Sequence, residues 1–409
     1  MKIIDIRVIV SCPGRNFVFV KIITDQPGLY GVGDATLNGR ELAVAEALDK
    51  HIAPLLIGCD PDKIEDTWQY LFRGTYWRGG PVLMTALSGI DMALWDIKGK
   101  RAGMPLYSLL GGKCREKILI YRHVFGRDFA EVEDRARQQM EERKIKAIRV
   151  QVALPECLMP YGTRPINDKE KEIWDEAHRN QLPVETVWEP TPYLRTIPQL
   201  FDHLRNKLGE EVELLHDVHE RLSPIEAIQL ARTLEPYRLF FLEDPIPPEH
   251  KENFRLIRSH CSIPLAMGEL FHTKWECLTL IEEQLIDFIR CDLAHVGGIT
   301  EARKIAVLAE SHYVKTAWHG PPDISPIAHA ANIHVDLAIP NFGIQEWTDH
   351  KEMVHEVCPG GPTVKEGYAS ISEKSGLGCD INEKAAKKYP YKRNYLPITR
   401  RKDGSVHDW

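Results

Sequence analysis

Six residues able to bind a metal or move a proton recur along the chain at a near-constant interval. They are Asp217, Glu243, Glu269, Asp292, His319 and Glu346, spaced by 26, 26, 23, 27 and 27 residues. Each follows a short apolar run: Glu213 to His216, Leu239 to Leu242, Pro264 to Met267, Phe288 to Arg290, Val314 to Trp318 and Phe342 to Ile344. One strand, one helix and two connecting loops consume about that many residues. The spacing therefore predicts six polar residues at the C-terminal ends of successive strands, where parallel barrels carry their chemistry. Carboxylates brought together there repel and raise one another's pKa. A shared divalent cation removes that cost, and Asp217, Glu243 and Glu269 are its expected ligands. Taken singly, any of them reads equally well as half of a structural ion pair; the even spacing of the trio favours a common metal. An all-oxygen set without thiolate favours Mg²⁺.

The elements that must position these residues are legible in outline. Amphipathic stretches at Pro224 to Leu234, Glu252 to Ser259, Lys274 to Gln284 and Thr300 to Ser311 separate the apolar runs, and Ala147 to Val152 adds an earlier strand. Strand–helix repetition of this kind builds a parallel sheet closed as a TIM barrel. The first 120 residues differ. Three strands are expected at Lys2 to Ser11, Phe17 to Thr24 and Leu29 to Gly33, then helices at Glu41 to Ile57, Ile64 to Phe72 and Pro81 to Lys100. The fold class is α/β: an α+β domain over 1–120, a barrel over 121–380, and a tail over 381–409 that packs back on both. Residues 153–195 are polar and long for a strand–helix connection, so they read as a lid over the site.

Composition excludes several classes. Asp and Glu outnumber Lys and Arg by 59 to 52, for a net charge of −7, so no broad binding of nucleic acid or anionic membrane is expected. Nine cysteines without a C-x-x-C pair fit neither a zinc ribbon nor a disulfide scaffold and suit a reducing cytoplasm. The N-terminal MKIIDIRVIVSC alternates like a strand, and no apolar run approaches a membrane span.

Longer motifs carry a resemblance. LLHDVHE, FLEDP, MGEL, HVGGIT, WHG and FGIQEW are similar to the enolase superfamily in strand order, and CPGRNFV, GDATLNGRE, YWRGGPV, DMALWDIKGK, KAIRVQ and NYLPITRRKDGSVHDW resemble its mannonate dehydratase branch. The resemblance implies an N-terminal α+β capping domain over a modified (β/α)₇β barrel, one Mg²⁺, a homo-oligomer and an acid-sugar substrate. It implies dehydration of D-mannonate or D-gluconate to a 2-keto-3-deoxy acid. A metal beside the substrate carboxylate lowers the barrier to removing the neighbouring proton.

Such a reaction needs an acid and a base. His219, two residues beyond Asp217 and on the same face, is by resemblance the acid that expels the hydroxyl; the alternative is a rim histidine paired with Glu220. Two bases stay open. Tyr161, activated by Arg149, matches the branch, and His319 oriented by Asp292 resembles the mandelate racemase dyad. Asn38, His123, Glu346 and Trp409 match substrate-contacting positions. Pro321, in His319-Gly320-Pro321-Pro322-Asp323, stands where members active on mannonate tend to carry Ala, so turnover of low efficiency is expected. The alternative is a divergent homologue that keeps the metal site but has an unknown substrate or a sensing role.

Overall fold

The computed structural model describes residues 1–159, 165 and 167–408. The chain falls into two compact units. One comprises Met1–Leu119, Glu269–Leu278 and Arg290–Lys392; the other comprises Ile120–Gly268, Thr279–Ile289 and the described residues from Arg393 on.

The first unit opens with an antiparallel sheet of strands Ile3–Ser11, Phe17–Thr24 and Tyr30–Asp34, in that order. The central strand, FVFVKIIT, is β-branched and aromatic, and most of it is buried. Helix Pro81–Ala102 packs on this sheet. It is buried continuously from Met84 to Leu94, as a helix enclosed by protein must be. Pro81 opens it, and Gly103, left-handed at φ 66°, closes it by returning its N–H to Gly99 and Lys100. The helix expected over Glu41 to Ile57 is present but changes pitch. It runs as α-helix over Glu41–Glu46, as π-helix over Ala47–Ile52 and as α-helix again over Ala53–Leu56. Pro54 lacks the N–H and crowds the preceding turn, and a widened turn relieves both problems.

Asp91, in the middle of helix Pro81–Ala102, caps another helix of the same unit. Its carboxylate accepts from the Thr300 N–H at 2.9 Å and the Thr300 hydroxyl at 2.5 Å, at the start of helix Gly298–Glu310. The Thr300 N–H is one of the orphan donors that a helix must satisfy from outside itself. Gly298 has φ 78°, and a Cβ there would lie 2.5 Å from Asp91 Oδ2. The two glycines of HVGGIT are thus a packing requirement.

The second unit carries six parallel strands in neighbour order: Ile118–Gly126, Ala147–Val152, Glu213–Asp217, Phe241–Glu243, Leu265–Met267 and Phe288–Ile289. Helices return between them with conventional starts. Asp128 caps Phe129–Arg143, and Ser223 with Glu226 forms a capping box on Pro224–Leu234. Two features correct the sequence reading. Residues 153–195 are not one long loop: helix Asp168–Asn180 and strand Glu185–Val187 lie within them. That helix is nearly all charged, and only Ile173, Trp174 and Ala177 form its apolar contact with Met159 and Val184. Helix Pro190–Leu208 was hidden by its prolines: Pro190 starts it and Pro198 lies inside. The tail adds strand Ile398–Arg400 in parallel beside Glu185–Val187, and His407 stacks on Trp188 at 5.2 Å. No helix among the described residues is long and apolar enough to cross a membrane.

Each unit encloses a neutral histidine. His334 Nδ1 accepts from the Tyr107 N–H at 3.2 Å. His216 Nδ1 lies 3.0 Å from the Val150 carbonyl and so carries the proton, which leaves Nε2 to accept from the Tyr193 hydroxyl at 2.7 Å. Burial pushes both rings down to about 4 from an ordinary 6.5. As pH falls from about 6.5 to about 4, the unfolded chain therefore takes up protons that the folded chain refuses, and stability is lost through that window. Thermal unfolding followed by circular dichroism should show a melting point that drops steadily below about pH 6.5, with a shallower slope in His334→Gln. A flat profile down to about pH 4.5 would contradict the neutral assignment. Asp91→Ala should lower stability by about 3 kcal/mol in denaturant titration, from the lost cap and its desolvated donors.

Candidate active site

In the parallel-strand unit, Asp217 and Glu243 close adjacent strands and are register partners. Both are buried. Two carboxylates forced this close need positive charge. Arg149 Nη1 lies 3.0 Å from Asp217 Oδ2 and 2.9 Å from Glu243 Oε1. Its other terminal nitrogen is 3.2 Å from His123 Nδ1, on the strand in register with it. One guanidinium thus bridges the two carboxylates. Hard carboxylate oxygens are a donor set suited to Mg²⁺.

The chain turns sharply beyond these strand ends. His219 and Glu220 are left-handed at φ 58° and 60°, and Asp244 at φ 41°. Such conformations cost roughly 1–3 kcal/mol each and persist only where the surroundings impose them. Here the restraints are explicit. The His219 N–H donates to Asp217 Oδ1 at 2.7 Å, the Val218 N–H to the Glu243 carbonyl at 3.0 Å, and the Glu220 N–H to the Asp244 carbonyl at 2.7 Å. His219 is buried, with Nδ1 3.4 Å from Glu220 Oε2. The contact with Glu220 is present, and the side chain is buried two residues beyond the strand end.

The other unit holds a second constellation. His319 Nδ1 lies 2.8 Å from Asp292 Oδ2, and its Nε2 lies 3.4 Å from Glu269 Oε2 and 3.9 Å from Glu346 Oε2. Burial alone would lower the imidazole pKa. The charges of Glu269 and Glu346 and the bond to Asp292 reverse that and raise it to about 10. Burial likewise pushes the Asp292 carboxyl up, but His295 and the His319 hydrogen bond outweigh it, and the group ends below its ordinary range. Arg290, wholly buried, lies 3.1 Å from Glu346 Oε2 and 3.5 Å from Glu269 Oε2. The Gly320 N–H donates to Glu346 Oε2 at 2.9 Å, and Asn332 Nδ2 to the His319 carbonyl at 3.1 Å.

The structure thus groups Arg149, His123, Asp217, Glu243 and His219 in one unit, and Glu269, Asp292, His319 and Glu346 in the other. Asn38 is engaged by a residue the sequence reading passed over: its Nδ2 donates to Asp323 at 2.5 Å, and Arg15 pairs with the same carboxylate. Tyr161 and Trp409 lie outside the described residues. Arg290 was also passed over, although it ends the run Phe288 to Arg290 as the carboxylates end theirs. A guanidinium neither ligates a metal nor serves as a base, so its place in the repeat announces no such chemistry. Asp323, four residues beyond His319, carried no periodic signal at all.

Carboxylates, an Asp–His pair and arginines stationed at successive strand ends define a barrel protein that works at the C-terminal ends of its strands. The comparisons make this specific. Residues 8–111 match the mandelate racemase/muconate lactonizing enzyme N-terminal domain, and residues 131–385 match the enolase C-terminal domain-like family. A D-mannonate dehydratase of Caulobacter sp. (strain K31) is 52% identical over 409 residues, covering 100% of both chains. A D-galactonate dehydratase family member of Cellvibrio japonicus is 50% identical, again over 100% of both. An enolase from Pantoea ananatis with bound D-gluconate and Mg superposes with a TM-score of 0.91 at 48% identity, covering 100% of this chain and 99% of that one. The chain belongs to the enolase superfamily and, within it, to the D-mannonate/D-galactonate dehydratase family, and it has that superfamily's modified (β/α)₇β barrel with an N-terminal α+β capping domain.

Gly320 offers a test of the site's precision. A Cβ there would meet the Glu346 carbonyl oxygen at 2.5 Å and Gln345 Nε2 at 2.7 Å. Gly320→Ala must therefore displace Glu346, and a displacement of about 1 Å is enough to cost about 100-fold in kcat/KM. Steady-state kinetics should show that loss with an unchanged far-UV spectrum; full activity would mean that Glu346 need not be held there.

Proposed function

We propose that the protein is a Mg²⁺-dependent dehydratase of acid sugars, taking D-mannonate or D-gluconate to the 2-keto-3-deoxy acid. The observation that carries this reading is the buried pair Asp217 and Glu243, hard oxygen donors on register-paired strand ends bridged by one guanidinium. Full-length relatives at 48–52% identity, one of them with D-gluconate and Mg bound, support it. Asp217, Glu243 and Glu269 are the proposed ligands. The metal, when bound, supplies positive charge against the substrate carboxylate and the negative charge that develops there.

The chain's own groups do the rest. A base takes the proton from C2, and the electron pair left behind forms the C2–C3 double bond as the C3 hydroxyl departs. His219 supplies the proton that turns this leaving group into water, and the enol relaxes to the 2-keto acid. The base is either Tyr161, its phenolate favoured by Arg149, or His319, oriented by Asp292 at 2.8 Å. Asn38, His123, Glu346 and Trp409 are the proposed substrate contacts. A cytoplasmic homo-oligomer with a small-molecule substrate completes the proposal.

Purified protein with Mg²⁺ and a panel of aldonic acids in D₂O reads both half-reactions. Keto acid should form from mannonate or gluconate. Glu243→Gln should abolish turnover, and His219→Asn should exchange the C2 proton without expelling water. Of Tyr161→Phe and His319→Asn, the variant that also loses C2 exchange identifies the base. Silence across the panel with Mg²⁺ bound would sink the dehydratase reading and leave a divergent homologue.

A further inference from the structure

A patch of the N-terminal part of the chain exposes a cluster of large apolar side chains, and such clusters mark interaction surfaces. Tyr76 and Trp77 are 78% and 80% exposed. They are held outward by an unusual backbone: Tyr76 sits at φ 63°, and Gly79 and Gly80 follow at φ 83° and 75°. A left-handed tyrosine is strained, and its ring stands edge-on to Trp77 at 5.2 Å. The projection is therefore fixed and double-aromatic.

A cavity of about 310 Å³ adjoins it, with Trp77 itself on its lining together with Ile52, Leu55, Leu71, Phe72 and Leu83. One wall is the π-helical turn Ala47–Ile52. The cavity sits at the floor of the size range of small-molecule sites, about 300–1,000 Å³. Its polar lining residues are His51, Thr75 and Arg78. The Thr75 hydroxyl is used by the Leu71 carbonyl at 3.0 Å, and the Arg78 guanidinium lies over the Phe72 ring at 5.5 Å. Its size and lining suit an aromatic side chain.

We propose that this face binds a second copy of the chain about a two-fold axis, Trp77 of each copy entering the cavity of the other. Knob and socket belong to one patch, so a two-fold operation satisfies both at once; a heterologous partner would satisfy only one of them by the same geometry. The area agrees. Large aromatic side chains bury about 150–250 Å² each. Tyr76 and Trp77 with the exposed parts of Leu55, Leu83 and Trp275 therefore present roughly 600 Å² per copy, which approaches the ~800 Å² per partner of a stable interface. The inference rests on the homo-oligomer of the preceding section and adds the surface that makes it; it does not depend on the catalytic reading.

The test is sedimentation velocity on the full chain as wild type, Trp77→Glu and Leu83→Glu, with hydrogen exchange on the wild type across a dilution series. Wild type should self-associate. Either charge substitution should lower the assembly order, by a factor of two where a single two-fold contact is lost, while dehydratase turnover per folded chain persists. Amides of residues 47–56 and 71–83 should gain protection as concentration rises. An associating wild type whose order survives both substitutions, with no concentration-dependent protection of these segments, overturns this surface but keeps the homo-oligomer. A wild type that stays monomeric at every concentration overturns both. The exchange data decide the matter even where a substitution impairs folding.

Discussion

Two buried carboxylates on paired strand ends cannot stay ionised beside each other without a cation, and much of this structure follows from that constraint. Asp217 and Glu243 are placed side by side by strand register alone. Arg149, from the next strand, meets both within 3.0 Å. A neutral side chain there would leave two like charges in a low-dielectric setting, at a cost of several kcal/mol. The left-handed turns at His219, Glu220 and Asp244 belong to the same arrangement, because their N–H groups and carbonyls tie the loops to the carboxylates and strand ends they follow.

The other unit solves the same problem with a different cation. Glu269, Asp292 and Glu346 are acidic and Arg290 is wholly buried among them, while His319 is drawn to the protonated form by the remaining charge. Precision comes from groups with no chemistry of their own: Gly320, whose N–H holds Glu346, and Asn332, which holds the His319 carbonyl. The N-terminal helix contributes in the same manner, since Asp91 caps the helix that follows HVGGIT.

Most of the candidate site could be read from the sequence because the barrel repeat is a metronome: a residue that ends one strand is followed by its counterpart one strand–helix unit later. Asp217, Glu243 and Glu346 are the last residues of their strands, and Glu269, Asp292 and His319 follow theirs by two or three. What escaped either lay outside the period or carried a chemistry the period does not announce. Arg290 shares the repeat but not the expected chemistry, and Asp323 is tied to Asn38 across a long sequence separation. Among the elements, the charged helix Asp168–Asn180 and the proline-bearing helix Pro190–Leu208 were missed. The first buries only a few apolar residues, and the second tolerates Pro190 at its start, where no N–H partner is needed.

The central claim is that these strand-end carboxylates hold one divalent metal. Electron paramagnetic resonance of the purified protein titrated with Mn²⁺ tests it without reference to any substrate. The account predicts one bound Mn²⁺ per chain, displaced by excess Mg²⁺, with the site lost in Asp217→Asn and in Glu243→Gln and kept in Trp77→Glu. Binding that survives the two carboxylate substitutions, or no stoichiometric binding to the wild type, would contradict it.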